Sequence, residues 1–469
     1  MAPCYPLVNL ETRTTMFTLF TPSSSTFLSS AKTLSRPFSS PSPLRLKAVP
    51  SVTSSLEPSN NTNSAPSLPP KVQTFWQWLR DEGVVSAKTP AAPAVVPEGL
   101  GLVATRNLAR NDVVLEVPKR LWIYPDAAAA SEIGRVCAGL KPWVSVALFL
   151  IREKLKGDSK WRYYLDILPQ RTDSTVYWSD EELAELQGTQ LLSSTLSVKE
   201  SRAFSRLRGQ NLVLVPLADF INHSPSITTE DHAWEVTGAA GLFSWDSLFS
   251  LRTPVSVKAG EQIMIQYGIN KSNADLALDY GFIELNADRN AYAVTLEIPE
   301  TDPFLGYKLN IAESNGLGKT ACFDIVLGHP LPLAMLAYLR LLALGGTDAF
   351  LLEPFFRNSV WGLLQLPVSR ANEELICRVV RDACKYAFSG YPTTLEEDYE
   401  KLKESNLSPR LKISVGIRQG EKMLLQQIDR IFQEKELELD QLEYYEERRL
   451  KELDQCREDV KSSSHSSSC

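Results

Sequence analysis

The sequence predicts an α+β protein: short β-type runs gathered before about residue 300, then a largely helical region. Three observations carry this. Between residues 95 and 117 apolar runs are broken at Pro97-Glu98-Gly99 and Asn111-Asp112, a strand-turn-strand pattern. Beyond residue 303 the apolar spacing changes to that of helices. Hydrophobic residues at 43% and charged residues at 22% supply a large core, and 469 residues leave room for two or three domains.

The first sixty residues are rich in Ser, Thr and Pro and carry five basic side chains against two acidic ones. Such a composition buries too little apolar surface to offset its ordering entropy. An acid-poor, Ser-rich, Arg-dotted leader predicts a transit peptide over residues 1–60, set aside from the fold. Folded sequence starts near Lys71, where Phe75, Trp76, Trp78 and Leu79 mark a short helix. After the strand-turn-strand come helical segments between 131 and 200, including 144–156 and 180–192. Strands return at 212–215 and 262–266. Residues 303–455 read mostly as helices at 333–344, 372–388, 394–404 and 409–455. In the last of these Leu424, Ile428 and Ile431 share a face. Residues 456–469 form a Ser-rich tail with the composition of disorder.

Several function classes are excluded by composition. A net charge of -7 and a pI near 5.5 oppose nucleic-acid binding. Outside the leader the balance is more acidic still, which suits a basic partner or substrate tail. The longest apolar stretches are interrupted and too short to span a bilayer, so no membrane partner is expected. Seven scattered cysteines with no C-x-x-C pair and no histidine cluster predict neither a zinc site nor a disulfide framework.

Three segments carry chemistry. Pro97-Glu98-Gly99-Leu100-Gly101-Leu102 puts two glycines in a turn, where backbone amides can approach a ligand. Pro216-Leu217-Ala218-Asp219-Phe220-Ile221-Asn222-His223-Ser224 is an apolar run ending in a polar cluster. Gly260-Glu261 is followed by Tyr267-Gly268 and then by Ala277-Leu278-Asp279-Tyr280-Gly281-Phe282. Each alone is ordinary: a hairpin turn, a structural histidine, tyrosines packed beside glycines. Their order, E-G-x-G, then N-H-S, then G-E-x5-Y-G, resembles the SET domain.

The phrases Leu207-Arg208-Gly209-Gln210-Asn211, Ile269-Asn270-Lys271-Ser272-Asn273 and Gln441-Leu442-Glu443-Tyr444-Tyr445 extend the resemblance to the plastid Rubisco large-subunit lysine methyltransferases, over about residues 71–455. The resemblance implies a β-rich, pseudoknotted SET domain with a helical insertion at 71–300. An all-α substrate-binding domain would follow at 303–455. It implies S-adenosyl-L-methionine as methyl donor, held by Glu98, Gly99, Leu100, Asn222 and His223. Arg202, Arg206, Asp219, Trp234, Tyr267 and Tyr280 match positions that contact the substrate lysine or complete the active site, with Tyr267 as the catalytic residue. Trp234 stands where relatives carry Tyr, which keeps an aromatic wall without its hydroxyl. The implied setting is the chloroplast stroma, the implied partners the Rubisco large subunit and plastid aldolase, and the implied state a monomer. Relatives also carry a longer segment where Ser197-Val198-Lys199-Glu200 here runs straight into Ser201-Arg202-Ala203-Phe204, so a few dozen residues are expected to be absent. The rival expectation is a SET core that binds a partner without turning it over.

Overall fold

The computed structural model describes residues 67–169, 171–201, 213–229, 234–238, 247–356 and 359–453. The expected leader, the expected tail, Arg202 and Arg206 lie outside the described residues. Two compact units result: one holds the described residues up to 168 and from 213 to 266, the other those at 169–201 and from 267 onward. Helices of eight residues or more are numbered below.

The first unit starts with α1 (Pro70–Asp81) and the hairpin β1 (Ala91–Val96) and β2 (Gly99–Ala104), followed by β3 (Val113–Pro118). Then come α2 (Pro142–Leu155), β4 (Asn222–His223), β5 (Trp234–Gly238), β6 (Ser247–Arg252) and β7 (Gln262–Ile265). Two sheets form, in the orders β1-β2-β7-β4 and β3-β6-β5. β4 runs parallel to β7, pairing Asn222 with Met264 and His223 with Ile265. Apolar residues of α1 fall on one face, and the buried ring of Phe75 lies about 6 Å from the rings of Trp78, Tyr164 and Phe220. The expected strand at 212–215 is reduced to a single bridge between Leu214 and Ile123.

The second unit holds α3 (Gln190–Ser201), α4 (Asn273–Tyr280), β8 (Ala291–Glu297), α5 (Leu305–Ser314), β9 (Thr320–Val326), α6 (Leu333–Ala343), α7 (Arg370–Ser389), α8 (Leu395–Leu402) and α9 (Pro409–Leu437). Its helical character matches expectation, and a strand pair joins it. β8 and β9 pair antiparallel in full register, with Tyr292, Val294 and Leu296 buried alternately on one and Ala321, Phe323 and Ile325 on the other. The caps are local: Ser272 with Asp275 and Thr394 with Glu397 form capping boxes at α4 and α8. The helix expected over 180–192 is split into Asp180–Ala184 and α3. Between them Gly188, at φ +83°, lies against the backbone of Gly390, where an added Cβ would come within 2.7 Å of the carbonyl oxygen.

Two buried polar groups tie α9 into this unit. Asp398 of α8 pairs with Arg418 at 3.1 Å and Lys422 at 2.7 Å, all three almost wholly buried. One turn along, the Glu421 carboxylate accepts the Tyr391 hydroxyl at 2.7 Å and the backbone N–H of Gln190, the first residue of α3. Burial raises the pKa of Glu421 to about 7. The folded state therefore holds this proton more tightly than the unfolded chain, whose glutamate titrates near pH 4. The resulting stability is full below about pH 4 and is lost as pH rises through about 7, a change on the order of 3 kcal/mol. Melting curves of the wild type and Glu421→Gln between pH 5 and 8 should diverge, the wild type losing stability faster with rising pH. Parallel curves would show that Glu421 is already ionised in the folded chain.

Candidate active site

The first unit brings the glycine turn, the Asn222–His223 pair and the start of the third segment, through β7, onto adjacent strands. The two-residue turn Pro97-Glu98 closes the β1–β2 hairpin, with Val96 opposite Gly99. β2 pairs with β7 through Leu102–Ile263 and Val103–Gln262, and β7 pairs with the Asn222–His223 strand. Glu98, Gly99, Leu100, Asn222 and His223, separated by more than a hundred residues in sequence, thus share one sheet.

Gln262 joins them. Its Nε2 donates to Glu98 Oε2 at 3.0 Å, and its Oε1 accepts from Asn222 Nδ2 at 2.7 Å. Asn222 Nδ2 also donates to the Leu100 carbonyl at 3.0 Å. This network explains the second glycine of the turn: a Cβ on Gly101 would sit 2.6 Å from Gln262 Oε1 and 3.1 Å from Asn222 Nδ2. Gly99 is required for a different reason, a φ of +116° that side chains rarely adopt. Gln262 is absent from the residues the sequence nominates, and Gly101 appears there only as the second glycine of the turn. Gln262 directly follows the Gly260-Glu261 pair, so its place in the motif was the available signal.

Asp219 lies in the 3₁₀ turn Ala218–Phe220 that leads into β4. The buried hydroxyl of Tyr164, another residue not nominated, donates to Asp219 Oδ2 at 2.6 Å. Surrounding protein raises the pKa of Asp219, partly opposed by that hydrogen bond, although the residue keeps an exposed face. Just before it Leu217 is held at φ +82°, a left-handed conformation unusual for a branched side chain. Backbone strain of this kind, about 1–3 kcal/mol, persists only where its surroundings enforce it. Trp234 sits apart from these strands, on the β3-β6-β5 sheet, 61% exposed and stacked on Phe249 at 6.2 Å.

In the second unit Tyr267 and Tyr280 come together with their ring centroids 4.7 Å apart, and Phe282 lies about 6 Å from each. α4 delivers Tyr280 at its last position. The Lys271 ammonium sits 5.4 Å from the Tyr280 ring centroid and pairs with Asp279 at 2.5 Å. Burial works against its charge, yet the carboxylate prevails and its pKa is raised.

Comparison with known proteins gives this arrangement a family. The SET domain family matches residues 99–268, and the family described as Rubisco LSMT substrate-binding matches residues 299–425. The chloroplastic Rubisco large subunit N-methyltransferase of Nicotiana tabacum is 62% identical, over 84% of this chain and 88% of that protein. The chloroplastic fructose-bisphosphate aldolase-lysine N-methyltransferase of Arabidopsis thaliana is 63% identical, over 83% of this chain and 89% of that protein. A crystal structure of the SET domain of LSMT bound to lysine and AdoHcy superposes with a TM-score of 0.79 at 61% identity, over 85% of this chain and 99% of that one. The chain belongs to the SET-domain protein-lysine methyltransferase family of the Rubisco large-subunit type.

Proposed function

We propose that this chain methylates a lysine side chain of a chloroplast stromal protein, the Rubisco large subunit or plastid fructose-bisphosphate aldolase, with residues 1–60 as its import signal. S-adenosylmethionine supplies an electrophilic methyl group. Glu98, Gly99, Leu100, Asn222 and His223 are assigned to holding it. The observation that carries this is the Gln262 bridge, which fixes the Glu98 carboxylate and the Asn222 amide on one sheet. An exposed carboxylate beside the open backbone of Gly99 suits a ligand with cationic groups.

Tyr267 and Tyr280 are assigned to the lysine, with Asp219 and Trp234 as further acceptor-side residues; Arg202 and Arg206 keep that assignment from the sequence. A lysine is charged in water, and burial away from water favours its neutral, nucleophilic form. The Tyr267 hydroxyl then orients the amine, while packing of rings around it excludes water.

The test uses the chain from Lys71 onward, with donor binding measured by calorimetry and labelled methyl transfer to purified Rubisco and aldolase read by mass spectrometry. Donor binding with label on a lysine of either protein is expected. Gln262→Leu should weaken donor binding on the order of tenfold, because it strips hydrogen bonds from Glu98 and Asn222. A folded chain that binds donor yet labels neither protein sinks the substrate assignment. One that binds no donor supports the rival, a partner-binding protein without turnover.

A further inference from the structure

The segment between Tyr267 and Tyr280 is held from behind by a side chain that no motif nominated. Arg289, only 8% exposed, directs one guanidinium nitrogen at the carbonyl oxygens of Gly268 (2.8 Å), Ile269 (2.5 Å) and Lys271 (3.0 Å). Three carbonyls within four residues of backbone thus converge on a single donor group. Its other terminal nitrogen pairs with the buried Glu284 carboxylate at 3.0 Å. Glu284 is fixed in turn: Asn273, in the first turn of α4, accepts its backbone N–H at 2.8 Å and donates to its carbonyl at 2.9 Å. The ring closes through α4, whose capping box begins one residue after Lys271 and whose last residue is Tyr280.

We propose that Arg289, oriented by Glu284, is a positioning residue that fixes the backbone just after Tyr267 and so sets the Tyr267 hydroxyl relative to the Tyr280 ring. The inference rests on the assignment of Tyr267 to the acceptor lysine. Within the 268–272 segment the Lys271 N–H donates to the Gly268 carbonyl at 3.2 Å, and Ser272 caps α4. Arginine suits the task because its planar fork engages the carbonyls and the carboxylate together. A lysine at 289 is a single ammonium that cannot reproduce both sets of contacts.

The experiment is a double-mutant cycle on the whole chain with Arg289→Lys, Tyr267→Phe and the pair, read by single-turnover methyl transfer. Donor affinity and melting temperature are measured alongside. Arg289→Lys is expected to slow transfer about tenfold with donor affinity unchanged, and to cost less than about twofold when Tyr267 is already Phe. That non-additivity is the signature of one residue acting through the other. Glu284→Gln, which leaves the guanidinium in place, should slow transfer about threefold and show the same dependence on Tyr267. Equal losses in both backgrounds, or no loss, overturn the proposal. So does failure of both Arg289→Lys and Glu284→Gln to fold, which would make the pair part of the core alone. Full activity of Tyr267→Phe by itself is a separate result, and defeats the acceptor-site reading instead.

Discussion

Replacing Tyr267 with Phe is expected to cut methyl transfer by about a hundredfold or more while donor affinity stays within about twofold, the scale of losing one well-placed transition-state hydrogen bond. The structure makes this a clean substitution. The Tyr267 ring packs on Tyr280 and Phe282 at 4.7 and 6.2 Å, and Phe keeps both contacts. Only the hydroxyl is removed. The donor residues lie on other elements, the β1–β2 turn and β4, so binding and transfer can be read separately. Rapid-quench transfer under donor saturation is the measurement, and an unchanged rate would leave Tyr267 as a packing residue.

The second large effect concerns stability. Asp398→Ala is expected to destabilise the second unit by about 3–5 kcal/mol, because it leaves two buried cations without their shared carboxylate. Arg418 keeps Glu185, and Lys422 keeps the carbonyls of Thr393 and Thr394, but neither retains Asp398, which is 1% exposed. For a unit of this size that is a fall in melting temperature of about 10 °C or more. The exposed Arg430–Glu434 pair is the control: Glu434→Ala should cost under about 0.5 kcal/mol, as surface i,i+4 pairs do. A shift below about 2 °C for Asp398→Ala would show that water replaces the lost carboxylate.

The sequence was most legible where local pattern and final environment agree. The hairpin around Pro97-Glu98 and the helix carrying Phe75 and Leu79 follow from turn chemistry and spacing, and both are present. β9 is also written in period-2 alternation, with Ala321, Phe323 and Ile325 buried, but it lies in a region whose overall pattern is helical. The break at Gly188 is of another kind. It answers a close approach to Gly390, two hundred residues away, and no local window contains that neighbour. The same limit applies to the site. Glu98, Asn222 and Tyr267 were readable as motif residues, whereas Gln262 and Arg289 matter through partners that only the fold supplies. A lone Arg in sequence carries no such signal, and Gln262 carries only its place beside Gly260-Glu261.

The buried ammonium groups have a practical consequence for handling the protein. Lys422 and Lys308 are at most 1% exposed, the latter bound to Asp302 and to the Leu342 carbonyl. An amine-reactive reagent applied to the native chain should leave both untouched while it labels surface lysines such as Lys385 and Lys403. Their reactivity then becomes a residue-resolved clock for opening of the C-terminal half, readable by peptide mapping without any engineered probe.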